Sequence, residues 1–252
     1  MKVLQGFDYR RGISLIHKMD PRAKLVYLAL FSTLAVYFLN PFLLFILFIS
    51  SVPIVTLAGI SRKWSQSIKG AAYFIVIIFI INFVVYLVQQ LPLTDALMLS
   101  VAMSFRFVVL ISIFSSYFLT TSPEDLTQSM VQLKVPYDYA LTFNMAMRFV
   151  PTLSKEAQII MDAQKSRGLE MEKGNFVQKI KNYIPVLVPL IVSSFRRAEL
   201  VADAMESRAF GATKKRTSLY ILKLGDIDYV FLCIVVASFE ALLVSSLLFG
   251  FR

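Results

Sequence analysis

The chain has 252 residues, of which 57% are hydrophobic, and its mean hydropathy is +0.68. This apolar share exceeds that of soluble globular domains, and the long runs with few charges place the chain among membrane proteins. The formal net charge of +10 does not indicate nucleic-acid binding, because the basic residues follow the membrane topology and are not interleaved with base-stacking aromatic residues. The single cysteine, Cys233, excludes a disulfide framework and a cysteine-based metal site.

The N-terminal part of the chain leads directly into a membrane span. The stretch MKVLQGFDYRRG has no apolar core or cleavage site, so we expect no cleaved signal peptide. The motif HKMDPR (His17–Arg22) predicts a turn in which Asp20 caps a helix that starts at Pro21. His17 is the only histidine, has no partner for metal or triad chemistry, and is expected to be an interfacial residue.

Apolar runs predict five membrane spans in chain order: Leu25–Leu39, Phe42–Ile60, Ala71–Gln89, Leu93–Thr120 and Ile227–Gly250. Of the 26 basic residues, all but Arg106 and Arg252 lie before residue 25, between 61 and 70, or between 121 and 226. If the spans alternate, these three basic segments share one side, which the positive-inside rule assigns to the cytoplasm. The sequence therefore predicts a multi-pass plasma-membrane protein with a cytoplasmic N-terminus and an external C-terminus.

The chain divides into residues 1–120 with four spans, 121–226 without a span, and 227–252 with the last span. The middle segment is poor in glycine and is predicted to be helical. Its motif TTSPEDL predicts a helix start, because Ser122 can cap, Pro123 fits the first turn, and two acidic residues follow at the positive end of the dipole. Two longer helices are expected, one over Tyr137–Arg167 and one over about Asn175–Arg208. The predicted fold is an all-α integral membrane protein with long cytoplasmic amphipathic coupling helices inserted before the last span.

One 14-residue pattern occurs twice in this middle segment. KEAQIIMDAQKSRG (Lys155–Gly168) and RRAELVADAMESRA (Arg196–Ala209) align at a single offset of 41 positions, from Arg167 to Arg208. Each copy ends in serine, arginine and a small residue, which are Ser166, Arg167 and Gly168 in the first copy and Ser207, Arg208 and Ala209 in the second. The arginines alone could merely complement the helix C-terminal dipoles, but repetition of the whole frame favours two equivalent functional tips.

Each copy of the pattern has one apolar face with small residues. Such faces allow two helices to cross closely, and the candidate close-packing residues are Ala157, Ala163, Ala198 and Ala204. Two polar residues also stand out within predicted spans. Arg106 lies at the middle of Leu93–Thr120, and Glu240 lies near the middle of Ile227–Gly250. Because an intramembrane charge requires a partner, we predict that the two pair, with backbone carbonyls and hydroxyls as the alternative partners of Arg106.

The paired Ser-Arg-Gly and Ser-Arg-Ala motifs resemble the two arginine signatures of the transmembrane T component of energy-coupling factor (ECF) transporters, the EcfT/CbiQ family. Three further stretches agree in order with that family, namely SLIHKMDPRAKL, TTSPEDL and RFVP. The resemblance extends from about Ser14 to Gly211. Ala209 departs from the glycine of the first motif and restricts the backbone at that position.

This resemblance implies a non-catalytic scaffold and coupling subunit of an ATP-driven importer. Its partners would be two ABC-type ATPases and a small substrate-binding S component in the lipid bilayer, and the arginine tips would insert into grooves on the ATPases. No cofactor would be bound by this chain, because ATP and magnesium would be held by the ATPases. Vitamins, cobalt and nickel are handled in this family, and the S component determines which is taken up.

Two other classes of function can be weighed against this interpretation. A membrane-embedded transferase or phosphatase needs clustered acidic residues near the interface, whereas the acidic residues here are dispersed among basic ones. No G-x-x-x-x-G-K-[ST] loop is present to cradle phosphates. A stand-alone permease or channel remains an alternative, and it would transport its substrate without partner ATPases.

Overall fold

The computed structural model describes residues 14–171, 173–213, 222 and 224–249. These residues form ten helices and no strand, and the helices are α1 (Leu15–Lys18), α2 (Pro21–Tyr37), α3 (Pro41–Ala58), α4 (Ser61–Gly70), α5 (Ala72–Val88), α6 (Leu93–Thr120), α7 (Pro123–Gln132), α8 (Tyr137–Ser166), α9 (Phe176–Glu206) and α10 (Asp226–Phe249). The predicted all-α fold is confirmed. The N-terminal stretch before residue 14 and Gly250, the predicted end of the last span, lie outside the described residues.

Three helices begin with the same cap and proline. The side chains of Asp20, Asn40 and Ser122 accept the backbone N–H two or three residues later, at 2.9, 3.0 and 3.0 Å, and a proline follows each cap. Such a cap satisfies one of the N–H groups that a helix start leaves free, and the proline there has no N–H to lose. The predicted caps at Asp20 and Ser122 are therefore confirmed.

Among the described residues, three helices are long and apolar enough to cross a membrane, namely α3, α6 and the part of α10 up to Ser246. The helices α4 and α5 bend by 43° at their junction and provide a fourth span if they cross together. The helix α2 has 17 residues, or about 25 Å at 1.5 Å per residue, slightly less than the hydrocarbon thickness of a bilayer. Its membrane crossing stays a prediction.

The chain forms two compact units. The first contains residues 1–133 and 222–252, and the second contains residues 134–221, which include α8 and α9. The predicted division at residues 120/121 and 226/227 separates membrane-spanning from cytoplasmic segments, which the compact units do not test, and it stays a prediction. In the second unit, α8 continues through Pro151 and α9 through Pro185 and Pro189, so the two long helices predicted there are present.

The core of the first unit surrounds α6. Its buried side chains come from four helices and include Leu34 on α2, Leu44 and Leu47 on α3, Ile113 on α6 and Val235 on α10. A buried polar contact lies within this core, where the hydroxyls of Ser51 and Ser112 are 2.6 Å apart and Trp64 donates its indole N–H to Ser112 at 3.1 Å. These bonds join α3 and α4 to α6, because a buried hydroxyl is costly without a partner.

Candidate functional site

The first arginine tip is a tight turn at the end of α8. The helix ends at Ser166, and Gly168 has a left-handed backbone with φ of +86°. The N–H of Gly168 donates to the carbonyl of Lys165 at 2.9 Å, and the N–H of Leu169 donates to that of Gln164 at 3.0 Å. This pair of bonds defines a Schellman motif, which ends a helix by satisfying its last carbonyls. Arg167 is therefore the last residue before Gly168, at which the chain reverses direction.

The second tip repeats this turn bond for bond. Ala209 has φ of +57°, its N–H donates to the carbonyl of Glu206 at 2.9 Å, and the N–H of Phe210 donates to that of Met205 at 3.0 Å. Every residue in these bonds lies at the offset that relates Arg167 to Arg208. The sequence repeat is therefore also a repeat of local structure, with Arg208 in the place of Arg167.

The alanine in the second motif does not change the turn. A left-handed backbone costs a residue with a Cβ about 1–2 kcal/mol more than the right-handed one, and Ala209 adopts it nevertheless. Both arginine side chains are exposed. Within the part of the chain that the structure describes, no hydrogen bond or ion pair is formed by either guanidinium. Each tip thus presents a cation with its five N–H donors available to another molecule.

The helices α8 and α9 pack together as an antiparallel pair. Arg197 Nη2 lies 2.6 Å from Glu156 Oε2, and the Ser193 hydroxyl donates to the other oxygen of the same carboxylate. Further along α8, Gln164 Nε2 donates to the carbonyl of Pro185 at 3.4 Å. Partners on α9 move backward as α8 moves forward, so the two arginine tips lie at opposite ends of the pair. The hydrogen bonds from Ser193 and then from Arg197 hold the pKa of Glu156 below its ordinary value.

The four candidate close-packing alanines differ from one another in burial. Ala157 is half-buried beside Glu156, whereas Ala163, Ala198 and Ala204 are exposed within this chain. The polar contacts between α8 and α9 come instead from Glu156, Ser193 and Arg197 and from Gln164 with Pro185. The packing role of the alanines stays a prediction.

An apolar groove of about 670 Å³ runs between the N-terminal half of α8 and the C-terminal half of α9. Met145 and Phe149 line it from α8, and Ala198, Val201 and Met205 line it from α9. This groove was not predicted from the sequence. The stripe of apolar residues at helical spacing from Thr142 to Leu153 was the available signal, but such a stripe does not distinguish a packed face from an open one.

Arg106 does not pair with Glu240, and this corrects the predicted ion pair. Its Nη2 donates to the carbonyl of Phe38, the residue that directly follows α2, at 2.7 Å, and Glu240 on α10 is exposed. Near the other end of α2, Lys24 Nζ donates to the carbonyl of Thr120 at 3.0 Å. The helices α2 and α6 therefore run antiparallel, and the middle of the long α6 lies level with the turn after α2. A backbone carbonyl, the alternative partner from the sequence, therefore accepts from Arg106, whose buried Nε has no hydrogen-bond partner in the described structure.

A buried polar cluster at the start of α2 was not predicted as a unit. Arg22 Nη2 donates both to the side-chain oxygen of Gln132, the last residue of α7, and to the carbonyl of Leu222 at 3.3 Å. Gln132 Nε2 also donates to the Leu222 carbonyl at 3.1 Å. Gln132 and Leu222 lie just outside the two ends of the second unit, residues 134–221. Arg22 thus joins the two segments through which the chain leaves the first unit and returns to it.

Two buried aspartates complete the cluster. The carboxylate of Asp228, on the first turn of α10, accepts the N–H of Asp20 at 3.0 Å and that of Gly225 at 2.8 Å. Asp20 in turn caps α2 and lies 3.4 Å from Arg22 Nε. The motif HKMDPR signalled the cap, but its partners lie about two hundred positions later in the chain, and local sequence patterns do not identify them.

Among the described residues, no group of three or more histidine, cysteine, aspartate or glutamate side chains is placed to hold a metal ion. His17 lies on the short helix α1, and its Nδ1 is 2.7 Å from the hydroxyl of Ser14. Partial burial, followed by the charge of Lys24, lowers the pKa of His17. The lowered pKa favours the neutral imidazole, and the interfacial role of His17 stays a prediction.

Fold and site together define a helical membrane protein that carries a separate helix pair with two matching arginine turns. Residues 12–219 match the CbiQ family, described as cobalt transport protein. The energy-coupling factor transporter transmembrane protein EcfT of Clostridium kluyveri is 34% identical over 243 residues, which cover 88% of this chain and 89% of that protein. EcfT of Streptococcus equi subsp. equi is 32% identical over 252 residues, with coverage of 92% and 93%. The chain therefore belongs to the CbiQ/EcfT family of energy-coupling factor transporter transmembrane components.

Proposed function

We propose that this transporter component couples two ABC-type ATPase subunits to a small substrate-binding S component in the membrane. In this proposal Arg167 and Arg208 each enter a groove on one ATPase subunit and transmit its ATP-driven motion to the coupling helices. The observation that carries the proposal is that the two exposed arginines end two helices in the same hydrogen-bonded turn. Two identical turns at opposite ends of one helix pair fit two equivalent receivers.

The chemistry of arginine supports this role. A guanidinium is planar, stays charged, and can donate two parallel hydrogen bonds to a carboxylate or to carbonyls in a groove, which the ammonium of lysine does not reproduce. The flanking Ser166 and Ser207 donate to helix carbonyls at 3.0 and 3.1 Å. The serine hydroxyls thus already donate to carbonyls of their own helices. In each turn the arginine side chain is the group that can contact an ATPase subunit.

The chemistry of ATP hydrolysis belongs, in this proposal, to the partner subunits. They bind ATP and magnesium, and this chain binds no cofactor and is not itself catalytic. We place the N-terminus and residues 121–226 in the cytoplasm and the C-terminus outside, in agreement with the distribution of basic residues. The cargo is a vitamin or a transition-metal ion, selected by the S component.

Substitution of the two arginines tests the proposal. Arg167→Ala and Arg208→Ala should each reduce substrate uptake by cells or proteoliposomes that contain the full complex, and the double variant should reduce it most. Arg196→Ala removes an exposed arginine of α9 outside the turns and should leave uptake close to that of the parent. Membrane insertion should be unchanged in all variants, as checked by immunoblotting of membrane fractions. Full uptake by the double variant would contradict the assignment.

A second measurement separates coupling from stand-alone transport. The purified chain, reconstituted by itself, should give no uptake with or without ATP. Uptake should appear only when the ATPase subunits and an S component purified from the same membranes are added. Transport by this chain alone would favour the permease alternative.

A further inference from the structure

The ion pair between α8 and α9 joins equivalent positions of the sequence repeat. Glu156 is the second residue of KEAQIIMDAQKSRG, and Arg197 is the second residue of RRAELVADAMESRA. Their separation in sequence equals the offset that relates Arg167 to Arg208. The two copies of the repeat therefore touch each other at the same internal position, at 2.6 Å between Nη2 and Oε2.

Antiparallel helices that touch at equivalent residues are related by a local two-fold axis through the contact. In an isologous contact of this kind, identical residues would face each other at the axis, and two like charges would repel. The repeat avoids this repulsion, because one copy carries a glutamate and the other an arginine. The charges break the symmetry of the sequence at the point where perfect symmetry would be unfavourable.

This contact lies at the same distance from both tips. From Glu156 to Arg167 and from Arg197 to Arg208 the chain advances by the same number of residues, about 16 Å of helix at 1.5 Å per residue. No proline lies within either stretch. The two tips extend from the contact in opposite directions, one on each helix.

The packing on the two sides of the contact differs. Toward Arg167 the helices are closed, since Val186 is 4% exposed and Gln164 reaches the carbonyl of Pro185. Toward Arg208 they are separated by the apolar groove. The ion pair lies at the boundary, and Arg197 itself lines the groove. A change in its geometry would alter the separation of the helices on the open side.

We propose that Glu156 and Arg197 are positioning residues whose ion pair sets the two arginine turns at matching distances from one local axis, so that a partner with two equivalent grooves receives both. This inference rests on the proposed function of Arg167 and Arg208. It adds that the pair of ATPase subunits is centred on this contact. It also assigns a function to an ion pair that no sequence motif singles out.

Exchange of the two charges provides the test, because the two residues occupy equivalent positions of the repeat. Glu156→Arg alone should reduce uptake by the full complex more than Glu156→Gln, since two like charges would then meet. Arg197→Glu alone should also reduce uptake. The double variant E156R/R197E restores an opposite pair and should recover most of the parent uptake, a coupling that a double-mutant cycle quantifies.

A distance measurement separates positioning from a general effect on stability. Cysteines at the equivalent exposed positions Asp162 and Asp203, in a Cys233→Ala background, carry spin labels for pulsed electron paramagnetic resonance on the full complex. The label-to-label distance distribution should broaden or shift in E156R and return to that of the parent in E156R/R197E. The control K155Q/R196Q removes the neighbouring equivalent charges and should leave the distribution unchanged.

The outcomes distinguish this inference from the function on which it rests. Unchanged distance and uptake in E156R, or no recovery in the exchanged variant, would overturn the positioning role. Recovery of both quantities in the exchanged variant would support it. Full uptake by the Arg167→Ala and Arg208→Ala double variant would contradict the proposed function and leave the distance result intact.

Discussion

Arg106, within a membrane helix, donates to a backbone carbonyl and not to a carboxylate. The end of α2 leaves carbonyl groups without an intrahelical N–H partner, and Arg106 Nη2 donates to one of them at Phe38. The side chain is half-buried, and partial burial strengthens a charge-assisted hydrogen bond relative to one in water. At the residue scale, Arg106 thus acts as a C-terminal cap supplied by a neighbouring helix.

Replacement of this arginine should destabilise the protein. Arg106→Gln should lower the free energy of unfolding by about 1–2 kcal/mol, because the Phe38 carbonyl loses a charged donor. The midpoint of thermal unfolding in detergent should fall by a few degrees. Glu240→Gln is the matched control and should leave the midpoint unchanged, since Glu240 is exposed and unpaired in the described structure. A larger loss for Glu240→Gln than for Arg106→Gln would contradict this assignment.

At the scale of elements, the helix pair α8–α9 combines one polar contact with one apolar groove. The groove lies between helices that each carry an arginine turn at one end, and Ala198 on α9 lines it directly after Arg197. A small side chain at this position leaves the groove open. A larger side chain would enter it and change how closely the two helices can approach.

A bulky substitution at Ala198 should therefore disturb coupling. Ala198→Leu should reduce uptake by the full complex, whereas Lys179→Leu should have little effect, because Lys179 is exposed near the start of α9 and does not line the groove. The ATPase activity of the complex, measured beside uptake, shows whether hydrolysis continues without transport. Equal uptake in both variants would show that the groove tolerates filling.

For the whole molecule, the positions of the basic residues determine a testable orientation. Arg62 on α4 belongs to a basic segment, and Gln90 lies in the loop between α5 and α6, which has no lysine or arginine. Both residues are exposed. The positive-inside rule places them on opposite sides of the membrane, provided that α4 and α5 cross together.

Cysteine labelling in cells measures this orientation. In a Cys233→Ala background, Gln90→Cys should react with a membrane-impermeant maleimide added outside intact cells, and Arg62→Cys should react only after permeabilisation. The Cys233→Ala parent is the control for background labelling. External labelling of Arg62→Cys would reverse the topology and would remove the coupling helices from the side on which ATP is available.

Local sequence patterns determined much of this protein. Caps at Asp20 and Ser122, the extents of the long helices and the equivalence of the two arginine turns follow from neighbouring residues, because a helix and its ends depend on groups within a few positions of each other. In the sequence Ala209 is a departure that restricts the backbone, and the structure shows that this alanine nevertheless adopts the left-handed conformation of Gly168.

Tertiary structure alone decided which distant groups meet. Several contacts join residues that are far apart in the chain. Arg106 contacts the carbonyl of Phe38, Arg22 contacts Gln132 and Leu222, and Glu156 contacts Arg197. Depth within a span suggested Glu240 for Arg106, but the relative shift of α2 and α6 brought a helix end to that level instead. Hydrogen-bond partners depend on distances of about 3 Å in three dimensions, and helical periodicity fixes only the face of a helix and not its displacement along a neighbour.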